Sequence, residues 1–178
     1  EILPIELTET FLERLEEHGS TLNAIVTLTK KQAIKQAKKA EEEIKKGKIK
    51  GLLHGVPWGG KDLLATAKIP TTWGAAPFQD QVFDYDSTVV KMLEDKGSIL
   101  LAKLAMIELA GGMGYRQPNA SFTGPCATPW SQGHWSGGSS SGSGAAVGAG
   151  LVPFAIGSET WGSILSPANN CGVAGLRP

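Results

Sequence analysis

The last third of the chain is almost free of charge, and this feature most restricts how the chain folds. Residues 117–178 hold two of the 34 charged residues, Glu159 and Arg177, and are rich in glycine and serine. A low-complexity linker has such a composition. The segment also contains large apolar side chains that a linker does not need, namely Trp130, Trp135, Phe154, Trp161 and Ile164. We therefore predict a packed interior in which glycine lets backbones approach closely.

Residues 1–116 carry the other charges and alternate between helix and strand patterns. The predicted helices cover residues 7–18, 30–46 and 87–96. The predicted strands cover residues 22–29, 56–61 and 98–103. Thr8 and Ser87 are the expected N-terminal caps of the first and third helices. This alternation indicates an α/β fold.

The composition argues against several classes of protein. The 17 basic and 17 acidic residues cancel, so we expect no nucleic acid bound directly and no membrane surface as partner. No apolar run approaches the roughly 20 residues of a transmembrane helix, and the first residues lack the pattern of a signal peptide. The two cysteines and three histidines lack the spacing of metal ligands or of a disulfide framework. We expect no metal, no cofactor and a cytoplasmic location.

Two glycine-rich segments resemble nucleotide-binding loops only in part. Residues 55–61 have the G-x-x-x-x-G-K spacing of a P-loop, but Asp62 occupies the position of the magnesium-binding Ser or Thr. A carboxylate there repels phosphate, and Pro57 removes a backbone donor. Residues 142–147 lack the third glycine of a dinucleotide fingerprint. Nucleotide binding is therefore disfavoured.

Three segments in order carry a more specific signal. They are HGVPWGGKD (54–62), GGSSSGSGAAV (137–147) and GSETWGSILSPA (157–168), the last of which runs into CGVAGLRP (171–178). Together they resemble the amidase signature family, whose members cleave or transfer amides with a Ser–Ser–Lys triad. Ser139 and Ser163 lie 24 residues apart, as in that family's pattern. The resemblance extends over nearly the whole chain.

The resemblance implies an architecture. It implies an α/β fold with a mixed β-sheet core flanked by helices, of which this chain is the N-terminal part. Residues 1–50 are then a helical N-terminal region and residues 51–178 a catalytic core segment of one domain. The C-terminal remainder of that domain is absent from this sequence.

The resemblance also implies the roles of the catalytic residues. Ser163 is the nucleophile, Lys61 the base, and Ser139 the relay between them, preceded by a cis peptide bond from Gly138. Ser140 helps to hold Lys61 and Ser139. A serine hydroxyl needs a base to become a nucleophile, and lysine is a base only if its pKa falls far below its usual value. Burial away from acidic groups lowers that pKa. The nearly uncharged segment 117–178 would provide such surroundings for Lys61.

The same resemblance places an oxyanion hole on the backbone N–H groups of Thr160, Trp161, Gly162 and Ser163. The common pattern of the family here is D-T-G-G-S-I-R. This chain differs from it at Glu159, Trp161 and Leu165. Loss of the arginine leaves Glu159 without one partner. The Trp161 indole either packs the loop or lines the acyl pocket.

Other reactive residues have simpler interpretations. We expect Cys171 to be a buried, inert thiol, because its neighbours in sequence are small and apolar. His54 and His134 are expected to be surface or packing histidines, with contact to substrate as the alternative. Residues 139–143, considered alone, would be a flexible serine loop.

The predicted function is hydrolysis of a carboxylic amide, other than a peptide bond, through an acyl-enzyme on Ser163. The partner is then a small-molecule amide, and a homodimer is a possible assembly. One alternative is the glutaminase A subunit of a tRNA-dependent amidotransferase, which uses the same triad to release ammonia. The other is a catalytically inactive scaffold of the same fold.

Overall fold

The computed structural model describes residues 2–111 and 117–178. Its α-helices are α1 (Pro4–His18), α2 (Lys30–Lys45), α3 (Thr88–Asp95), α4 (Ser141–Gly148) and α5 (Leu165–Cys171). Its strands are β1 (Ile25–Leu28), β2 (Pro57–Lys61), β3 (Ile99–Leu104), β4 (Ala127–Thr128), β5 (Ser131–Trp135) and β6 (Ala155–Ile156). Short 3₁₀ helices cover Ser20–Leu22, Ala76–Phe78 and Glu108–Ala110.

Four strands form a mixed sheet in the order β1-β3-β2-β6. β3 runs antiparallel to β1 and parallel to β2, and β2 runs parallel to β6. Every residue of β2 and β3 is buried, as expected where elements cover both faces of a parallel pair. The α/β prediction and the mixed sheet with flanking helices are therefore confirmed. β4 and β5 form a separate two-stranded ribbon.

The two N-terminal helices pack on each other and on the sheet. α2 buries Ala33, Ala37 and Ala40, which recur at the spacing of one helix face, while its lysines face solvent. α1 contributes Leu12 and Leu15 to the same apolar core. None of the helices in the described part of the chain has the length and apolar character needed to cross a bilayer.

The predicted boundaries near the N-terminus were wrong in two places. α1 begins at Pro4, because the Glu6 carboxylate accepts a hydrogen bond from the Leu3 N–H and caps the first turn. Thr8, the predicted cap, is buried within the helix. The strand predicted from residue 22 begins at Ile25, because the left-handed conformation of Asn23 ends the preceding 3₁₀ turn.

The cap predicted for α3 is also wrong in its chemistry. Ser87 occupies the N-cap position with extended backbone, but its hydroxyl forms no hydrogen bond to the first turn. Its backbone N–H instead donates to Ala65 O. The helix start therefore depends on backbone geometry and on the burial of Val90 and Leu93.

The glycine- and serine-rich segment forms a buried helix, so the flexible-loop interpretation is wrong. The first six residues of α4 are buried. A Cβ at Gly142 would lie 2.4 Å from both Ala105 N and Ala24 O. Only glycine allows the helix to lie this close to the backbone beside β3.

We expect Gly142→Ala to destabilise the fold by more than about 2 kcal/mol, because the new methyl group meets backbone atoms that cannot move aside. In an unobstructed helix the same change would stabilise by roughly 1 kcal/mol. The measurement is thermal unfolding followed by circular dichroism. Gly133→Ala is the matched control, since a Cβ there meets nothing within 4 Å. Equal melting temperatures for the two variants would contradict this packing argument.

Candidate active site

The β2 strand ends in a lysine whose side chain is completely enclosed. Lys61 is 0% exposed, and its Nζ donates hydrogen bonds to Ser139 Oγ at 2.7 Å and Ser158 Oγ at 2.9 Å. A longer bond of 3.5 Å reaches Ser158 O. Burial lowers the pKa of Lys61 to about 7, because the surroundings disfavour the ammonium form. An amine with this pKa serves as a base near neutral pH.

The sheet topology brings these groups together. β2 and β6 are parallel, with Gly59 beside Ala155 and Gly60 beside Ile156. Because parallel strands end at the same edge of a sheet, the chain after β6 leads Ser158 to the Lys61 amine. Ligands of open α/β sheets generally bind at this edge.

Asp62 follows Lys61 in sequence but turns to the other side of the sheet. Its carboxylate lies 3.0 Å from Lys103 Nζ and accepts a hydrogen bond from the Thr72 N–H at 2.9 Å. Neighbouring side chains on a strand point to opposite faces, as the sequence suggested. The Lys61 amine therefore has hydroxyl and carbonyl contacts, without a carboxylate among them.

The serine run lies across the carboxyl end of β2. The Gly138–Ser139 peptide bond is cis, at the position that the family resemblance implies. The Ser139 carbonyl accepts a hydrogen bond from the Ile107 N–H at 3.0 Å, which fixes Ser139 beside the end of β3.

Ser140 contacts Lys61 only through a third residue, Ser158. Its hydroxyl donates to Ser158 O and accepts from Ser158 N, both at 3.3 Å, and Ser158 in turn contacts the Lys61 amine. Its backbone N–H donates to Ser163 O at 3.1 Å. Ser140 thus connects the serine run to the loop that carries the predicted nucleophile.

Ser163 is buried beside this constellation. The Ser140 N–H holds its backbone, whereas its hydroxyl forms no hydrogen bond to another described residue. The structure thus joins Lys61 directly to Ser139 and brings Ser163 next to Ser139 through the backbone of Ser140. No hydrogen bond joins the hydroxyls of Ser139 and Ser163 in the described part of the chain.

The two charged residues of the segment 117–178 face each other. Glu159 Oε2 accepts hydrogen bonds from the N–H groups of Ile164 at 2.8 Å and Leu165 at 2.9 Å. The Leu165 N–H in particular lowers the pKa of this carboxyl. Arg177 Nε lies 3.5 Å from Glu159 Oε1. Glu159 therefore has an arginine partner from elsewhere in the chain, although residue 165 is leucine.

The four predicted oxyanion donors differ in their surroundings. Gly162, in the left-handed region with φ 93°, has an N–H that also helps to lower the pKa of Glu159, so it is directed toward that carboxylate. The N–H groups of Thr160 and Ser163 donate to no other described residue. The Trp161 side chain is 80% exposed.

The remaining reactive residues have structural surroundings. Cys171 is buried, as predicted, and burial raises the pKa of its thiol to about 11. His54 Nε2 lies 3.1 Å from Glu43 Oε2, and His134 Nδ1 lies 2.9 Å from the hydroxyl of its neighbour Ser131. In residues 2–111 and 117–178, no group of three His, Cys, Asp or Glu residues could hold a metal ion.

Sequence reasoning missed two residues of this site, Ser158 and Arg177. Ser158 lies inside the third segment, just after a short apolar run. A hydroxyl at the end of a predicted strand was the sequence signal that could have identified it. Arg177 offered a weaker signal, as the only residue of opposite charge to Glu159 within the uncharged segment.

Comparison with known proteins agrees with this geometry. The sequence profile described as Amidase matches residues 6–178, so this chain belongs to the amidase family, with the fold of the amidase signature enzymes. The A subunit of glutamyl-tRNA(Gln) amidotransferase from Thioalkalivibrio sulfidiphilus is 42% identical over 98% of this chain and 35% of that protein.

Two solved structures resemble the chain in three dimensions. The native peptide amidase from Stenotrophomonas maltophilia matches with a TM-score of 0.84 at 34% identity, over 94% of this chain and 35% of that one. A bacterial aryl acylamidase of the amidase signature family matches with a TM-score of 0.84 at 31% identity, over 94% and 34%. The chain spans about a third of the length of these proteins.

The contacts of Glu159 lead to a prediction. In the full-length protein, Glu159→Gln should slow labelling of Ser163 by a fluorophosphonate about tenfold, because the loop loses a charged acceptor for two N–H groups. Arg177→Met should slow it only two- to threefold, because a half-exposed ion pair contributes little. Glu42→Gln, on the solvent face of α2, is the control. If Glu159→Gln were labelled at the wild-type rate, the Glu159 carboxylate would not be needed to hold the loop that carries Ser163.

Proposed function

We propose that the protein hydrolyses a carboxylic amide, other than a peptide bond, through an acyl-enzyme on Ser163, with Ser139 as relay and Lys61 as base. One observation carries this proposal. A completely buried lysine, surrounded by hydroxyl groups, contacts Ser139 Oγ at 2.7 Å. Structural likeness to a peptide amidase and an aryl acylamidase supports the reaction class.

The neutral amine is the form of Lys61 that acts in this proposal. With a pKa of about 7, roughly half of the Lys61 side chains are neutral at neutral pH. A neutral amine keeps two N–H donors and gains a lone pair. The two donors bind the Ser158 oxygens, and the lone pair accepts the hydroxyl hydrogen of Ser139.

Acylation then proceeds by coupled proton transfers. The Ser163 oxygen attacks the amide carbon, its proton passes to Ser139 Oγ, and the Ser139 proton passes to Lys61 Nζ. The C–O bond forms and the carbonyl π electrons move to the oxygen. When the tetrahedral intermediate collapses, the C–N bond breaks and the proton returns along the same path to the leaving nitrogen.

Deacylation repeats the sequence with water in place of Ser163. Water attacks the ester carbon, its proton moves to Lys61 through Ser139, and the same proton returns to the Ser163 oxygen as the ester bond breaks. The products are a carboxylic acid and an amine or ammonia. The N–H groups of Thr160, Trp161, Gly162 and Ser163 are the proposed oxyanion donors, with Thr160 and Ser163 the most available.

The broader properties of the protein belong to the same proposal. The partner is a small-molecule amide, no cofactor is needed for the steps above, and the two free cysteines suit the reducing cytoplasm. An inactive scaffold is less well supported, because it would have no use for a buried lysine held by two serines.

A second candidate function is that of the glutaminase component of a tRNA-dependent amidotransferase. The observation that favours it is the 42% identity to the A subunit of such an enzyme. Ser163 would then attack glutamine, and the released ammonia would pass to a partner protein. The loop that carries Ser163 differs from the common pattern of the family at Trp161 and Leu165. For this reason we prefer a stand-alone amidase.

Variants of the triad test the proposed function in the full-length protein. Ser163→Ala should abolish both amide hydrolysis and fluorophosphonate labelling, because the acyl group has no acceptor. Lys61→Met should reduce both by at least about a thousandfold, since base catalysis and the relay are lost together. The measurements are turnover on a panel of aryl and alkyl amides and mass spectrometry of the labelled peptide. Ser131→Ala, an exposed hydroxyl on β5, is the control. Retained turnover in Ser163→Ala would refute the proposal.

A glutaminase assay separates the two candidate functions. The stand-alone amidase should release ammonia from simple amides without partners, and glutamine should be a poor substrate. The measurement is ammonia release from glutamine and from an aryl amide, with and without the other subunits of an amidotransferase. Glutamine turnover that appears only with those subunits would favour the second candidate.

A further inference from the structure

A second lysine is buried in the same sheet and has no part in the steps proposed above. Lys103 of β3 is 0% exposed, and its Nζ lies 3.0 Å from the equally buried carboxylate of Asp62. The two lysines have opposite surroundings, because Lys61 contacts serines while Lys103 contacts an acid. A buried charge is tolerated only when it is paired and hydrogen-bonded.

The segment after β2 adds hydrogen bonds to both members of this pair. Lys103 Nζ donates to Thr71 Oγ1 at 2.8 Å. Asp62 Oδ2 accepts from the Thr72 N–H at 2.9 Å and also from the Thr72 hydroxyl. Both ions are thus held in place on the face of the sheet opposite the Lys61 amine.

The pair lies beside Lys61 in the sheet. Asp62 is the next residue along the chain, and the register places Lys103 opposite Gly60 and Lys61 opposite Leu104. An unpaired Asp62 carboxylate would be a buried negative charge one residue along the chain from Lys61.

Other charged groups around Lys61 are few among the described residues. α4 and β6 contain no titratable side chain, and the charged residues of α1 are exposed. Glu159 lies next to Ser158, but its carboxylate is bound to the N–H groups of Ile164 and Leu165. Among the described residues, Asp62 and Lys103 are therefore the buried charged pair that lies beside Lys61 in the sheet.

We propose that Lys103 is a positioning residue for the triad, which neutralises and anchors Asp62 so that this carboxylate does not stabilise the ammonium form of Lys61. This inference rests on the proposed function, in which neutral Lys61 is the base. Lys103 would then remain charged beside Asp62, so that Lys61 can lose its proton. At the effective dielectric constant of about 20 that describes buried sites in proteins, a carboxylate roughly 10 Å from an amine raises the pKa of that amine by about one unit.

The test is the pH dependence of fluorophosphonate labelling of Ser163 in the full-length protein. The wild-type rate should rise with pH and reach half its maximum near pH 7, as Lys61 loses its proton. In Lys103→Met the midpoint should move up by about one pH unit. In the double variant Asp62→Asn/Lys103→Met it should return to the wild-type value. Asp62→Asn alone should have a midpoint at or below that of wild type.

Two further variants separate charge from packing. Thr71→Val removes the hydroxyl that binds Lys103 but keeps both charges, so it should lower the maximal rate without moving the midpoint. Lys103→Gln keeps an N–H donor for Asp62 and should give the same upward shift as Lys103→Met. If neither Lys103 single variant folds, as judged by circular dichroism, Asp62→Asn is compared with wild type instead. An upward shift of the pH midpoint of labelling in Asp62→Asn then overturns the proposal.

The outcomes distinguish this inference from the proposed function. Labelling that persists in Ser163→Ala refutes the function itself. Labelling that depends on Ser163 and Lys61, with one common midpoint in wild type, Lys103→Met and the double variant, leaves the function intact and overturns the role of Lys103. An upward shift in Lys103→Met that the double variant does not reverse overturns it as well.

Discussion

The burial of the Lys61 amine among hydroxyl groups is the interaction on which the rest of the candidate site depends. An ammonium ion without a counter-charge is unfavourable in such a place, so burial lowers its pKa to about 7. The same sheet contains the opposite case, since Lys103 is buried with Asp62 at 3.0 Å. Alternation along one strand separates the two environments, because Lys61 and Asp62 point to opposite faces.

The uncharged segment makes this burial physically feasible. Glycine at position 142 lets α4 lie against the backbone of Ala105 and Ala24, which places Ser139 and Ser140 over the end of β2. Serine provides polar atoms small enough for this space and capable of passing a proton. The segment's two charges, Glu159 and Arg177, bind each other at the loop that carries Ser163. Its composition thus reflects a packed interior in place of a linker.

Local patterns predicted the long elements well and the short ones poorly. α2, β2 and β3 agree with the sequence to within one or two residues, because each has a strong pattern of burial. The prediction of α1 began three residues too late, since the cap comes from the Glu6 side chain and not from Thr8. α4 has no apolar periodicity to detect, because all of its residues except Val147 are glycine, alanine or serine, and distant backbone decides whether they are buried.

The sequence by itself determined the class of fold and the family, and it indicated Lys61, Ser139 and Ser163 as candidate site residues, because motif spacing and residue type are local properties. Only the tertiary structure decided which groups meet. The parallel register of β2 and β6 brings Ser158 to Lys61, and the fold pairs Asp62 with Lys103 and Glu159 with Arg177. These contacts join residues far apart in the chain, and the free energy of burying a charge depends on such neighbours and not on sequence position.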